Sequence, residues 1–306
     1  MKILITGASG LVGQELIKYL SAEESCEINV LTRDKTRFAE SCQFPVRAFN
    51  WDPMNEEIDS EALNDIEFII NLAGAGIADK RWTEKRKQEI LESRTSSTRL
   101  LLNEIDKLKV KPKKFINASA IGIYGDTDKK VDEKSKLGDG FLADVCKKWE
   151  EPIENWNQEE TIKVILRIGL VLSSSGGVLE KMITPFKLGL GGKIGNGNQY
   201  MSWIHIKDLV SMIHHILVNT NINRIYNGTS PEPVTNKEFT KTLGKVISRP
   251  TIFAVPSLPL KIILGEMSQL LLGGQKVFPG QFILEGFKYR YNNLENCLEN
   301  LLDQKK

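Results

Sequence analysis

Residues 1–13 read MKILITGASGLVG, a short apolar strand that leads directly into three glycines spaced three positions apart. The stretch that follows, residues 11–20, has the apolar spacing of a helix. In this order the bare backbone can approach a pyrophosphate, whose charge then lies at the positive end of the helix. The opening therefore predicts a dinucleotide site, and the residues expected to line it are Thr6, Gly7, Ser9, Gly10, Leu11 and Val12.

The overall composition is that of a globular protein with a sizeable core. The chain has 306 residues, 41% of them hydrophobic, which suits one large α/β domain or a domain with an appendage. Its net charge of +2 gives no reason to expect a nucleic acid or a membrane as partner. The cysteines and histidines are few and scattered, so neither disulfides nor a metal site are expected. No leader or membrane-length apolar run is present, which predicts a cytoplasmic location.

Strand and helix patterns alternate through the first two thirds of the chain. Apolar runs joined by amphipathic helices predict a doubly wound α/β fold, with a parallel sheet covered on both faces. The predicted strands are Lys2–Thr6, Glu27–Thr32, Val46–Asn50, Glu67–Leu72, Lys113–Ser119, Thr161–Leu170 and Arg224–Asn227. The clearest predicted helices are Leu11–Leu20, Thr83–Leu108, Phe141–Trp156 and Ile206–Val218.

Glycine-rich loops and prolines become frequent after Leu172. We expect a nucleotide-binding domain over residues 1–230, with residues 173–205 contributing to the substrate side, and a small C-terminal domain over residues 231–306. Within this substrate-side lobe, Ser257–Leu272 is apolar almost all round. Such a segment is a buried helix, a lid over an apolar substrate or a dimer contact, and the buried helix is the default expectation.

The end of the second strand distinguishes NADP(H) from NAD. An NAD site usually has an acid about twenty residues after the glycine loop, whereas this chain has Thr32 and Arg33 there. A guanidinium at this place suits a 2′-phosphate, so NADP(H) is favoured, although Asp34 follows directly. Asp52 either meets the adenine amine or forms a turn before Pro53. The residues expected close beneath the cofactor are Leu72, Ala73 and Gly74, the last two of which are small.

Several stretches carry a resemblance to a known family, namely NLAGAGIADKRW at 71–82, FLADVCKKWE at 141–150, PFKLGLGG at 185–192, SWIHIKD at 202–208 and GGQKVFP at 273–279. The chain resembles the extended short-chain dehydrogenase/reductases of the NAD-dependent epimerase/dehydratase superfamily. More narrowly, it resembles the "epimerase family", SulA-type NADP-binding group with a small C-terminal domain like DUF1731. The resemblance implies a Rossmann core, bound NADP(H), and cofactor contacts from Thr32, Arg33, Leu72, Ala73, Glu89, Arg94, Gly169 and Leu170. The alternative for Arg94 is an exposed helix residue paired with Glu89 or Glu92.

The chain departs from the family's catalytic pattern. Ordinary members carry Tyr-x-x-x-Lys, in which the tyrosine exchanges a proton with substrate, but no tyrosine here has a lysine four residues later. Phe141 or Leu142 takes the tyrosine's place, and the usual catalytic serine falls on Ala120. The candidate catalytic groups are therefore Ser119, whose alternative is a strand-end hydroxyl bonded to backbone, and Tyr124. Met201 replaces the arginine that holds a diphosphate in nucleotide-sugar members, which argues against that substrate class.

Two hypotheses follow for the function. The first is an NADP(H)-dependent oxidoreductase that acts on an unidentified small molecule. Arg81 and Trp82 then contact the substrate, unless Trp82 only packs at the start of the next helix. The second is a non-catalytic NADP(H)-binding protein with a redox-sensing or regulatory role, which the SulA-type name connects with cell division. The oligomeric state stays open between monomer and homodimer.

Overall fold

A computed structural model describes residues 1–23 and 25–303. Its strands are β1 Lys2–Thr6, β2 Glu27–Thr32, β3 Arg47–Asp52, β4 Glu57–Ile58, β5 Phe68–Asn71, β6 Lys114–Ala120, β7 Thr127–Val131, β8 Ile162–Ile168, β9 Leu170–Leu172, β10 Gly192–Ile194, β11 Tyr200–Met201, β12 Trp203–His205, β13 Arg224–Gly228, β14 Val234–Thr235, β15 Phe253–Val255 and β16 Gln275–Val277. Its helices are α1 Leu11–Leu20, α2 Lys35–Ser41, α3 Glu84–Lys107, α4 Phe141–Glu154, α5 Gly177–Lys187, α6 Ile206–Asn219, α7 Asn236–Val246, α8 Ser257–Leu264, α9 Gln269–Leu272, α10 Gly280–Leu284 and α11 Leu294–Asp303.

Eight strands form one sheet in the order β13-β8-β6-β5-β1-β2-β3-β4, and all neighbours are parallel except β3 and β4. The chain adds strands on one side of β1 and then crosses over to add β5 and its successors on the other side. The strand order therefore reverses between β1 and β5, where doubly wound sheets bind their ligands at the carboxyl ends of the strands. The predicted α/β fold is confirmed.

Apolar side chains fill both faces of this sheet. Residues of α1 and α6, such as Leu16 and Ile213, pack on one face, while residues of α3 and α4, such as Leu101 and Ile153, pack on the other. Strands buried on both faces read as the continuous apolar runs that the sequence shows. The predicted strand over Thr161–Leu170 is divided at Gly169, because the chain leaves β8 there and β9 pairs with β12 instead.

The C-terminal lobe has a separate core around Trp203 and Phe239, which α11 closes. Its strand β16 pairs with β7 of the nucleotide-binding part. No helix among the described residues has the length and apolar character needed to cross a bilayer.

The expectation of one buried helix over Ser257–Leu272 is wrong. Gly265, with φ of 58°, ends α8, and a 3-10 turn over Gly265–Ser268 precedes α9. No side chain of α8 is buried, and Ile262 and Ile263 are each 67% exposed. The segment is apolar enough to form part of a core, but the rest of the chain buries few of its side chains.

Candidate functional site

The glycine loop after β1 lies close to the end of β5. Gly7 has φ of 66°, and a Cβ atom there would lie 2.5 Å from the carbonyl oxygen of Leu72, so only glycine fits. A side chain at Gly13 would overlap the carbonyl oxygen of Gly7. Gly10 is the N-cap of α1 and places no side chain on the first-turn N–H groups, which are donors without partners inside a helix. The loop thus offers backbone donors where an anion binds.

Thr6 lies beneath the loop and holds the end of β5. Its hydroxyl donates to the side-chain oxygen of Asn71 over 2.6 Å and accepts the N–H groups of Leu72 and Ala73, each at 3.2 Å. Thr6 and Asn71 are fully buried. The contact fixes the backbone of residues 72–74 against the glycine loop.

Arg33 follows β2 and is exposed, and no carboxylate of a described residue lies within ion-pair distance of it. The neighbouring Asp34 is the N-cap of α2, where its carboxylate accepts the N–H of Arg37 over 3.0 Å. Asp34 is therefore engaged with its own helix. The guanidinium of Arg33 is available for a ligand beside Thr32, which is half-buried at the strand end.

Asp52 uses both carboxylate oxygens within its own turn. Oδ1 accepts the N–H of Met54 over 3.0 Å, and Oδ2 accepts the side-chain amide of Asn55 over 2.9 Å. This is the turn alternative that the sequence left open. An adenine contact from Asp52 stays a prediction.

Arg94 on α3 is enclosed beside the segment that follows β5. Its Nη1 donates to the carbonyl oxygens of Ala75 and Ile90 at 3.1 and 2.9 Å, and its guanidinium carbon lies 5.0 Å from the ring centre of Trp149. A Cβ atom at Gly74 would lie 3.1 Å from the guanidinium carbon. Burial lowers the pKa of Arg94. Such an enclosed cation suits an anionic ligand.

The two acids considered as partners of Arg94 bind elsewhere. Glu89 lies 2.8 Å from Nη1 of Arg86, which lowers the pKa of that carboxyl, and Glu92 accepts the side-chain amide of Gln88 over 2.6 Å. The alternative interpretation of Arg94, an exposed residue in a helix ion pair, is wrong.

The hydroxyls of Ser119 and Tyr124 belong to one buried polar network. Ser119 donates to Glu150 Oε1 over 2.5 Å, and Arg167 binds the same carboxylate through Nε at 2.9 Å and Nη2 at 2.7 Å. Arg167 Nη1 donates to the Tyr124 hydroxyl over 3.0 Å, and that hydroxyl donates to Asn227 over 2.8 Å. We call these five residues the buried network, and all of them are at most 3% exposed.

Sequence reasoning did not identify Glu150, Arg167 and Asn227. A signal was present, because Glu150 lies on the apolar face of α4 and Arg167 lies inside the apolar strand IKVILRI. The apolar pattern of the helix and of the strand places both charged residues on a buried side. Charged residues are seldom buried unless they are paired, so two of opposite sign indicate a buried ion pair.

Leu142, one of the two residues considered for the place of the usual tyrosine, and Cys146, four residues later on α4, face the turn after β6. A Cβ atom at Gly122 would lie 3.3 Å from Leu142 Cβ and 4.0 Å from Cys146 Sγ. Burial raises the pKa of the Cys146 thiol to about 11. Neither side chain is a proton donor near neutral pH.

Trp82 belongs to a buried apolar cluster, against which Met267 and Leu270 of the C-terminal lobe also pack. Its indole N–H donates to the carbonyl oxygen of Ile77 over 2.9 Å, and its ring lies edge-on to Phe141 at 4.8 Å. These contacts agree with the alternative that Trp82 packs at the start of α3. Arg81 lies over Gly265, whose added Cβ atom would come within 3.1 Å of the guanidinium. A substrate contact from either residue stays a prediction.

Gly169 and Leu170 carry the chain from β8 to β9 at the same edge of the sheet. Gly169 donates its N–H to Gly228, and Leu170 donates its N–H to Ser202. A Cβ atom at Gly169 would lie 2.5 Å from the Ser202 carbonyl oxygen, so the crossing requires glycine.

A cavity of about 350 Å³ lies between the turn after β6, the start of α4 and the C-terminal lobe. Its lining residues are Gly122, Gly125, Asp126, Asp139, Gly140, Leu142, Lys261, Ser268, Gln269, Leu272, Gly273 and Gln275. A second cavity of about 500 Å³ shares Lys261 and Leu272 with the first. Together they form a space of mixed polar and apolar lining beside the place of the missing Tyr-x-x-x-Lys groups.

Known proteins with similar sequences match both the nucleotide-binding part and the C-terminal lobe. Residues 3–227 match the NAD dependent epimerase/dehydratase family, and residues 255–301 match a domain of unknown function, DUF1731. An epimerase family protein of Mycobacterium bovis is 36% identical over 97% of this chain and 96% of its own. The chloroplastic SDR39U1 homolog of Arabidopsis thaliana is 37% identical over 99% of this chain and 87% of its own.

A solved structure, the human epimerase family protein SDR39U1 with NADPH, superposes with a TM-score of 0.88 at 31% identity and covers 99% of both chains. The chain belongs to the NAD dependent epimerase/dehydratase family.

Proposed function

We propose that this member of the NAD dependent epimerase/dehydratase family binds NADP(H) at the reversal of strand order and transfers a hydride between it and a small carbonyl or alcohol substrate. The observation that carries the cofactor assignment is the arrangement after β2. Asp34 caps α2, so the exposed Arg33 is left to bind a 2′-phosphate. The human relative solved with NADPH supports the same cofactor.

The residues present fit this cofactor. Backbone donors of the Gly7–Val12 loop would hold the pyrophosphate, and Thr32 with Arg33 would hold the 2′-phosphate. The guanidinium of Arg94 faces the same edge and would supply a further positive charge. When bound, NADP(H) supplies the hydride chemistry, while the chain orients the substrate and moves the proton.

We infer that the substrate occupies the 350 Å³ cavity. The titratable groups on its lining are Asp126, Asp139 and Lys261, and one of them exchanges the proton. No arginine is among the described residues that line the cavity. This agrees with Met201 in the place of a diphosphate clamp, and it supports a small substrate rather than a nucleotide sugar.

Ser119 and Tyr124 stay predictions as catalytic groups. Their contacts favour a structural role, because each hydroxyl already donates to a buried acceptor, Glu150 or Asn227. The same engagement supports the second candidate function, a non-catalytic NADP(H)-binding protein with a regulatory role.

Cofactor preference is tested by titrating NADPH and NADH into the wild type and Arg33→Asp. We expect NADPH to bind at least about tenfold more weakly to the variant, since a charge-assisted contact is lost, while NADH binding is retained. Arg99→Asp on α3 is the matched control, because Arg99 is also exposed and the charge change is the same. Equal NADPH dissociation constants for the wild type and Arg33→Asp would refute the assignment.

Catalysis is tested by following NADPH absorbance with a panel of small aldehydes and ketones and with crude cell extract. Oxidation of NADPH that the Lys261→Met and Asp139→Asn variants reduce, with cofactor binding unchanged, supports the oxidoreductase. NADPH that stays bound and is never oxidised, even in extract, supports the non-catalytic alternative.

A further inference from the structure

Two segments, residues 188–190 and 252–263, expose seven large apolar side chains to solvent. They are Leu188 (70%), Leu190 (61%), Ile252 (81%), Phe253 (53%), Leu258 (67%), Ile262 (67%) and Ile263 (67%). We call these residues the apolar patch. Scattered exposed leucines are ordinary in proteins, but a set this large in two short segments is typical of an interaction site.

The two segments of the patch are neighbours, because a strand pairing and a side-chain contact join them. Strands β10 and β15 pair with Gly192 opposite Phe253, and Arg249 Nε donates to the carbonyl oxygen of Lys187 over 3.0 Å. Helix α8 begins two residues after β15 ends. The exposed side chains before β10, in β15 and in α8 therefore lie on neighbouring elements.

The short helix α8 turns its apolar face outward. Leu258, Pro259, Ile262 and Ile263 are exposed and occupy one arc of the helix, whereas Leu260 and Leu264 on the other side are only half-buried. A helix of a soluble domain normally shows the reverse, with its apolar face toward the core. The outward face indicates an apolar surface outside the chain.

The surroundings of the patch are basic. The segments that carry the patch, residues 187–193 and 249–263, contain Lys187, Lys193, Arg249 and Lys261 and no aspartate or glutamate. Glu266 follows α8 and forms an ion pair with Lys87. Among the described residues, no carboxylate forms an ion pair with Lys187, Arg249 or Lys261. The chain's small net charge hides this local excess.

We propose that the apolar patch docks the lobe on the surface of an anionic lipid bilayer, with the aliphatic side chains inserted and the lysines against the headgroups. Apolar groups bordered by lysine and arginine are the combination that binds such surfaces. A twofold dimer through this face would place the same cations against each other. Protein interfaces are depleted in lysine, and here Lys187 directly precedes Leu188 of the patch.

The proposal is tested by sedimenting the full chain with vesicles of phosphatidylcholine alone and with about a third phosphatidylglycerol. We expect binding to the anionic vesicles only, and weaker binding at high salt. Ile262→Ser should weaken binding about tenfold because an inserted side chain is lost. Lys187→Gln should weaken it about fivefold.

Matched controls separate this contact from general effects. Leu284→Ser removes an aliphatic residue that is 78% exposed outside the patch, and Lys109→Gln removes an exposed lysine of the sheet region. Both should bind vesicles like the wild type, and all variants should keep the wild-type melting temperature. The proposal is overturned if the folded protein does not bind anionic vesicles, or if Ile262→Ser binds as well as Leu284→Ser. A dimer in solution that Ile262→Ser dissociates would also overturn it.

Discussion

Two arginines at the same sheet illustrate two different uses of a charge. Arg167 is buried and binds the Glu150 carboxylate through two nitrogens, while Arg33 is exposed and has no carboxylate partner among the described residues. The same contrast separates the whole buried network from the glycine loop. In the network each hydroxyl and charge has a protein partner, whereas the loop leaves backbone donors for a ligand. The site is therefore identified by polar groups that have no partner within the described residues, and not by polar groups in general.

The largest expected effect is on the network side. Glu150→Ala leaves the buried Arg167 without a counter-charge, so the free energy of unfolding should fall by about 3–5 kcal/mol. Urea unfolding measures the change. The double variant Glu150→Met/Arg167→Met should recover much of the loss, because no uncompensated charge remains. If Glu150→Ala lowers the free energy of unfolding by less than about 1 kcal/mol, the Glu150–Arg167 pair is not important for stability.

Gly7→Ala tests the glycine loop. The free energy of unfolding should fall by about 2–4 kcal/mol, because the new Cβ atom overlaps the Leu72 carbonyl oxygen and because alanine is strained at this positive φ. Gly286→Ala is the matched control, since Gly286 has φ of 70° and nothing within 4 Å of an added Cβ. It should cost only about 1–2 kcal/mol. Equal losses would mean that the close approach to β5 is unimportant.

A buried neutral group gives the next smaller effect. His205 stacks on Tyr291 at 3.8 Å, and burial lowers its pKa from 6.5 to about 4. Between these values the unfolded chain binds a proton that the folded chain does not, so stability falls as the pH falls through this window. From about pH 6.5 to 5 the loss is about 2 kcal/mol.

His205 is the N-cap of α6, where its Nδ1 accepts the N–H of Lys207 over 3.0 Å. The comparison with His205→Asn isolates the pH effect, because Asn can still cap α6 and does not titrate. Burial raises the pKa of Asp208 and Glu133, which acts in the opposite direction in both proteins. Stability of the wild type should therefore fall more steeply with acid than that of His205→Asn in urea unfolding. Parallel pH dependences would contradict the neutral, buried state of His205.

The smallest perturbation is chemical labelling of thiols. Cys146 and Cys297 are buried, whereas Cys26 and Cys42 are half-buried. Burial raises the pKa of Cys146 and Cys297, and also that of Cys26. A thiol reagent at about pH 8 should modify Cys26 and Cys42 quickly and the other two only on unfolding. Fast labelling of Cys146 would show that the space between α4 and the turn after β6 is open to solvent.

The sequence predicted the features that depend on local pattern. Glycine spacing and apolar runs indicated the sheet, its main helices and the loop of Gly7–Gly13, because close backbone approach and burial leave direct traces in residue type. The pairing of Glu150 with Arg167 was not predicted, since it depends on a helix and a strand that meet only in three dimensions. The exposure of α8 was missed for a similar reason, because hydropathy does not reveal whether the chain supplies a cover.

The most direct test of the contrast is the dissociation constant of NADPH, measured side by side for the wild type, Arg33→Asp and Tyr124→Phe. We expect at least about a tenfold weakening for Arg33→Asp, and less than about a twofold change for Tyr124→Phe. Tyr124→Phe should instead lower the melting temperature, because Arg167 and Asn227 lose a buried partner. Strong loss of NADPH binding in Tyr124→Phe, with none in Arg33→Asp, would contradict the account.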